Sequence, residues 1–292
     1  MRKSSRAFLL FVLAGLLYLS ASAPHLAGPR GSLSSRLLGP ISSVAAGWQW
    51  VRVRLAFEAG RPNLAYSRAE VALQLDPQST SGWSYLASII ASDRGSPYRQ
   101  PDPSLRTRWT KVALDLLQRG EASAHHPADL AIHAGSILVR VAEYGDEVPW
   151  PGGSLGALKD AEACFERATR LDPRSVEAWT VLAAHRALWL GSPEIATDPA
   201  ARLAALEAGL VTLRRAEARI DELGPIFFQR GVLLGLFADD ASGEEVDLWP
   251  TGRVGLYDAA IEAFSQAHAA RFPLGEEARA SAELARRDLL AR

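Results

Sequence analysis

Six histidines, one cysteine and scattered carboxylates are the side chains with which this 292-residue chain would have to do chemistry. The histidines stand at 25, 125, 126, 133, 185 and 268. None has a second ligand at zinc-binding spacing, and there is no H-E-x-x-H. A lone Cys164 excludes both C-x-x-C and an internal disulfide. It falls inside a helical pattern, where it reads as a small packed side chain. His125 and His126 precede Pro127 and read as a turn before a helix. No G-x-S-x-G or Walker sequence occurs. The run DDASGEEVD is acidic enough to suggest Ca²⁺ but lacks the spacing of an EF-hand loop. The adjacent pair Glu244-Glu245 carries no catalytic information. The expectation is therefore no catalytic set, no cofactor and no metal. His133, Arg140 and nearby acids are the residues around which a loop-covered pocket would form. A net charge of −1 gives no reason to expect nucleic acid.

What must position these residues is a self-similar helical framework. Residues 161–183 carry Ala161, Phe165, Ala168, Pro173, Trp179, Leu182 and Ala183. Ninety-six residues earlier stand Ala65, Ala69, Ala72, Pro77, Trp83, Leu86 and Ala87. Aligning 60–87 with 156–183 gives 11 identities in 28 positions. Self-similarity of this kind marks a repeat architecture. Ala161 and Ala168 share a helical face and permit close approach of a second helix, with Phe165 filling between them. Pro173 ends the helix. Trp179 and Leu182 form the apolar stripe of the next helix, and Ala183 is another close-approach point.

The spacing A-x3-F-x2-A-x4-P, followed by W-x2-L-A, resembles the tetratricopeptide (TPR) repeat, a helix–turn–helix of about 34 residues. The resemblance spans residues 41–292 and is most specific in the two segments quoted. It implies an all-α fold, an α-solenoid of about five TPR-like helix pairs in one curved stack. Such proteins bind peptides or helices in the groove lined by the first helix of each pair. Carried over position by position, that groove is Ser81, Ser84, Ser88, His133, Ser136, Arg140, Glu177, Thr180 and Gln229. The Lys and Asn clamp of the chaperone-binding branch is missing. Ser84, Ser88, Ile132, Ser136, Thr180, Ala184, Phe228 and Val232 hold its places.

Along the chain, residues 1–23 form a signal anchor or a signal peptide. Arg2, Lys3 and Arg6 precede the apolar run AFLLFVLAGLLYL, and Ala21-Ser22-Ala23 forms an A-x-A ending. Pro24 disfavours cleavage there, and residues 7–23 as a helix span about 25 Å, so an uncleaved transmembrane helix is preferred. Positive charge before the run places the N-terminus in the cytoplasm and the remainder outside it. The Ala- and Arg-rich composition points to a bacterial inner membrane. The alternative is a secreted or periplasmic protein. Residues 24–40, rich in Gly, Pro and Ser, read as a linker. From 41 helices begin, the first with Val44, Trp48, Val51 and Leu55 on its apolar face. The chain ends in a charged helix suited to covering the end of a stack.

Ninety-six residues exceed two standard repeats by 28 (96 − 68), which predicts long inserts inside the pairs. They are read at 93–103, 145–153, 191–198 and 239–255, and hold eleven Asp or Glu. In a stack they would share one edge. Tyr98, Asp146, Glu147, Trp150 and Trp249 are its candidate contact residues, unless the two Trp rings fold back and pin their loops. Two functions are expected from these readings. The first is a noncatalytic scaffold contacting another protein or peptide through groove or loop edge. The second is an enzyme or small-ligand binder with a loop-covered pocket.

Overall fold

The computed structural model describes residues 41–192, 195–196, 198–240 and 248–291. The expected anchor at 1–23 and linker at 24–40 lie outside them. Among the described residues the chain is all helical, with no strand, and no helix is long and apolar enough to cross a membrane. The α-helices are α1 (Ile41–Glu58), α2 (Pro62–Leu75), α3 (Thr80–Ile89), α4 (Pro103–Glu121), α5 (Pro127–Tyr144) and α6 (Gly153–Leu171). They continue as α7 (Val176–Ala184), α8 (Pro199–Glu217), α9 (Gly224–Asp240), α10 (Gly252–Ala269) and α11 (Gly275–Leu290). The principal packing is between sequence neighbours, with α3 on α5, α5 on α7 and α7 on α9 as second neighbours.

The helices start where the sequence supplies caps. Ser79 and Ser175 each accept a hydrogen bond from the backbone N–H three residues on, and Asp102 and Asp198 from the N–H two residues on. Proline occupies the first turn of α2, α4, α5 and α8, where its missing N–H costs nothing.

The 96-residue correspondence runs through four helices. Adding 96 to the bounds of α4 gives the bounds of α8, and α3 and α7 both open 96 residues apart. Trp83 Nε1 donates to the Pro77 carbonyl and Trp179 Nε1 to the Pro173 carbonyl, each at 2.9 Å. Gly135 on α5 faces the Phe165 ring of α6, and Gly231 on α9 faces the Phe264 ring of α10. A Cβ at either would lie 2.4 Å and 2.6 Å, respectively, from the nearest ring carbon. The helices can approach this closely only because both positions lack a side chain.

Both α3 and α7 run on into a single π-helical turn, Ile90–Arg94 and His185–Trp189. The first turn carries its helix two residues into the insert expected at 93–103, and the second lies within the helix expected at 175–190. Gly95 and Gly191 follow, and a Cβ on either would strike the carbonyl of Ala91 or Ala187.

The signature alanines Ala65, Ala72, Ala87, Ala161, Ala168 and Ala183 are all fully buried, as are Leu86, Phe165 and Leu182. All but Ala72 belong to two core clusters that meet on α7. Ala178 and Leu182 complete the first, Trp179 and Ala183 the second. Each Leu in this core contributes about 1.5–3 kcal/mol by burial, an upper figure because unfolded chains are partly collapsed. Cys164 is buried beside Arg167, and burial pushes its thiol up despite that arginine. Arg167 in turn holds Glu121 of α4 through both carboxylate oxygens, at 3.0–3.2 Å.

The first helix departs from expectation. Val44, Trp48, Val51 and Leu55 do not face the core. Ser42, Ala46, Val53 and Ala56 do. Small side chains at 42, 46 and 56 let α1 lie close on α2, and that contact outweighs the larger stripe on the opposite face.

Candidate functional site

Four of the groove candidates, Ser88, His133, Ser136 and Arg140, line a hollow among α3, its π-turn, α4 and α5, with Ala91, Ile137 and Val141 as apolar wall. Ser88 Oγ on α3 lies 2.7 Å from His133 Nε2 on α5. Ser92 Oγ donates to the Ser88 carbonyl at 2.7 Å. His133, Ser136, Arg140 and Tyr144 recur at steps of three and four along α5, one face of the helix. Together with Thr110 they enclose about 130 Å³. Gly135 fixes this arrangement from the other side of α5, because the Phe165 ring seats there and sets the rotation of the helix.

No acidic side chain lines the hollow, and Arg140 makes no ion pair among the described residues. Burial, aided by Arg140, holds His133 below the usual imidazole value, so it is neutral at pH 7. The Arg140 guanidinium and the Ser88–His133 pair can meet a small anion or a polar side chain, while the hydroxyls of Ser92 and Ser136 already donate to the carbonyls of Ser88 and Ile132. Ser88 and His133 have the reach of a nucleophile and base. Among the described residues no carboxylate orients the other ring nitrogen, as a triad requires.

A second hollow lies 96 residues on. Ala187, Leu188, Gly191, Leu206, Leu233, Leu236 and Phe237 line part of it, the counterparts of Ala91, Ser92, Gly95, Thr110, Ile137, Arg140 and Val141, and Ser192, Arg202 and Asp239 line the rest. Its volume is about 430 Å³. The frame is the same and the chemistry has changed. Serine, threonine and arginine in the first hollow have become leucines in the second.

The remaining groove candidates sit on the first helices as the repeat pattern places them. Ser81 and Glu177 are exposed, and Ser84, Thr180 and Gln229 are half-buried. Thr180 turns its hydroxyl back to the Val176 carbonyl. At the loop edge the candidates separate. Tyr98 is 84% exposed and meets Tyr144 edge-on at 6.2 Å. Asp146 and Glu147 are exposed. Trp150 is half-buried and folds back on its loop. Its ring packs on the core, its N–H is held by Asp160 at 2.8 Å, and Lys111 lies over its face. Trp249 likewise packs on the second core cluster. Both rings fold back because a tryptophan buries more apolar surface against helix tips than a charged loop can offer it. The acidic run DDASGEEVD lies largely outside the described residues.

Three arginines that the sequence reading did not single out organise the site. Arg106 is buried and donates to the carbonyls of Gln100, Pro101 and Glu147, tying the first two inserts to each other. Its counterpart Arg202 donates to the Gly191 carbonyl. Arg186 bridges Glu162, Glu166 and Thr212 at 2.5–2.8 Å. The 96-residue spacing of Arg106 and Arg202 was the available signal.

His185 is 1% exposed, its Nε2 is 2.9 Å from the Leu158 carbonyl and its ring lies against Phe165. Burial lowers its pKa and outweighs the carbonyl, which favours protonation. His133 is shifted the same way. Below the unfolded value of about 6.5 the unfolded chain binds protons that the folded state refuses. Stability from both groups is therefore present above that pH and lost as pH falls. Thermal unfolding between pH 7.5 and 5 should show a falling midpoint, and His185→Phe should flatten the fall. An unchanged slope in that variant contradicts the assignment.

No protein-family model matches the chain, and no curated protein matches it.

Proposed function

We propose that the chain is a noncatalytic interaction scaffold, an α-solenoid of TPR-like helix pairs. It is held by residues 1–23 on the outer face of a bacterial inner membrane. The observation that carries this reading is the duplicated frame: two hollows of common construction, in which Ser92, Thr110 and Arg140 of the first are replaced by Leu188, Leu206 and Leu236 of the second. A peptide or helix lying along the first helices would meet a hydrogen-bonding pocket at Ser88, His133 and Arg140. Further on it would meet an aliphatic pocket at Leu188, Leu206 and Leu236. Sequence divergence at five of seven matched positions within a common frame is what selection for two different side chains of one partner would leave.

The test is photocrosslinking in intact membranes. A photoreactive residue at Ser84, Ser136 or Thr180 should give a discrete protein adduct, and one at Ser281 on α11 should not. Adducts confined to Tyr98 would move the contact to the loop edge. No adduct at any position would reject the scaffold.

The Ser88–His133 pair with Arg140 in a 130 Å³ hollow supports a second reading, a small anionic ligand. It predicts a higher unfolding midpoint with acetate or phosphate that Arg140→Gln removes. The scaffold reading predicts no such shift.

A further inference from the structure

Five large apolar side chains on α1 face solvent, and no other helix among the described residues presents more than two. Ile41, Val44, Trp48, Val51 and Leu55 recur at alternating steps of three and four, so they form one stripe. Val44 is 72% exposed, Trp48 61%, Val51 50% and Leu55 55%. The opposite face, Ser42, Ala46, Val53 and Ala56, is committed to the fold. The stripe is therefore spare, and it is rigidly presented. A patch of this kind on a folded domain marks a contact with something apolar.

We infer that this stripe lies on the bilayer surface, with Trp48 at the boundary of headgroups and acyl chains. The inference rests on the reading of residues 1–23 as a membrane anchor. An apolar helix face with tryptophan at its centre and basic residues alongside is the pattern of a helix lying in the membrane interface. Arg52 and Arg54 stand beside the stripe and Arg61 follows the helix. The one acid of α1, Glu58, is already held by Arg54 at 2.9 Å. The unbalanced charge is positive and suits anionic lipid phosphates.

Connectivity points the same way. Seventeen residues, 24–40, separate the apolar run from α1. Fully extended they reach about 60 Å, so an anchored chain confines α1 to that distance from the bilayer and raises its effective concentration at the surface. Two other occupants fit less well. The apolar run folded back antiparallel would set Arg2, Lys3 and Arg6 beside Arg52, Arg54 and Arg61. A second copy paired in parallel would put Trp48 against Trp48 in a layer where branched aliphatic residues pack best.

The test uses the full chain with Cys164→Ser, reconstituted in vesicles of phosphatidylcholine and phosphatidylglycerol. Spin labels are placed singly at Val51→Cys, Leu16→Cys and Ser281→Cys. The label at 51 should collide more often with oxygen than with a nickel chelate, as the label at 16 does, and the label at 281 should show the reverse order. A lipid-exposed label at 16 with a water-exposed label at 51 overturns this inference and leaves the anchor standing. A water-exposed label at 16 overturns the anchor itself. Dipolar broadening between labels at 51 assigns the stripe to a second copy. Low collision with both reagents assigns it to the chain's own apolar run. Either result overturns the inference. Trp48→Glu with the label at 51 should shift that label toward the nickel chelate while the protein stays membrane-bound.

Discussion

Replacing Trp179 by alanine should lower the unfolding free energy by about 3–5 kcal/mol, the range for removing a large buried aromatic. The ring is almost wholly buried and carries Arg219 over its face. Its N–H ends on the Pro173 carbonyl, and its helix is the one on which the two core clusters meet. Losing it opens a cavity and frees a carbonyl in the turn that joins the halves. Trp83→Ala should cost less. Trp83 has the same bond to Pro77 but keeps part of its ring in solvent, so less area is lost. Urea unfolding of both variants measures the order. Equal losses would mean that the two tryptophans do not differ in burial as described.

The second large effect comes from filling a space rather than emptying one. Gly135→Leu should destabilise by about 3 kcal/mol, the upper end for an overpacked core. Even a methyl at this position would overlap the Phe165 ring, at 2.4 Å. Helix propensity opposes the effect, because leucine is favoured over glycine by about 0.8 kcal/mol in a helix interior. Steric conflict is the larger quantity and decides the sign. Phe165→Ala alone should cost about 3–5 kcal/mol, and the double variant should recover part of both losses. Additive losses in that cycle would show that the two side chains do not meet. Gly231 and Phe264 should behave alike.

Much of this was legible in the sequence because it depends on residue size at fixed spacing. The small residues Ala65, Ala72, Ala161 and Ala168 must be small wherever two helices touch, and the prolines must end what precedes them. The π-turns were not legible, since one extra residue in a helical turn leaves no compositional mark. The inward face of α1 was misread for a related reason. Periodicity found the larger stripe, yet burial went to Ser42, Ala46, Val53 and Ala56, whose small size allows contact with α2. The site was half legible. Ser88 and His133 were placed on first helices by the repeat pattern, but their meeting at 2.7 Å across two helices depends on the rotation that Gly135 and Phe165 impose. Trp150 and Trp249 stayed open between two readings because a tryptophan beside prolines in an acidic loop has the same sequence whether it points out or folds back.

The central claim is that the first helices present a binding surface to another protein. Hydrogen exchange of the full chain in native membranes, set against the purified protein in detergent, tests it most directly. The account predicts slower exchange in membranes at α3, α5, α7 and α9, with α11 unchanged. Identical exchange at α3, α5, α7 and α9 in the two preparations would contradict it.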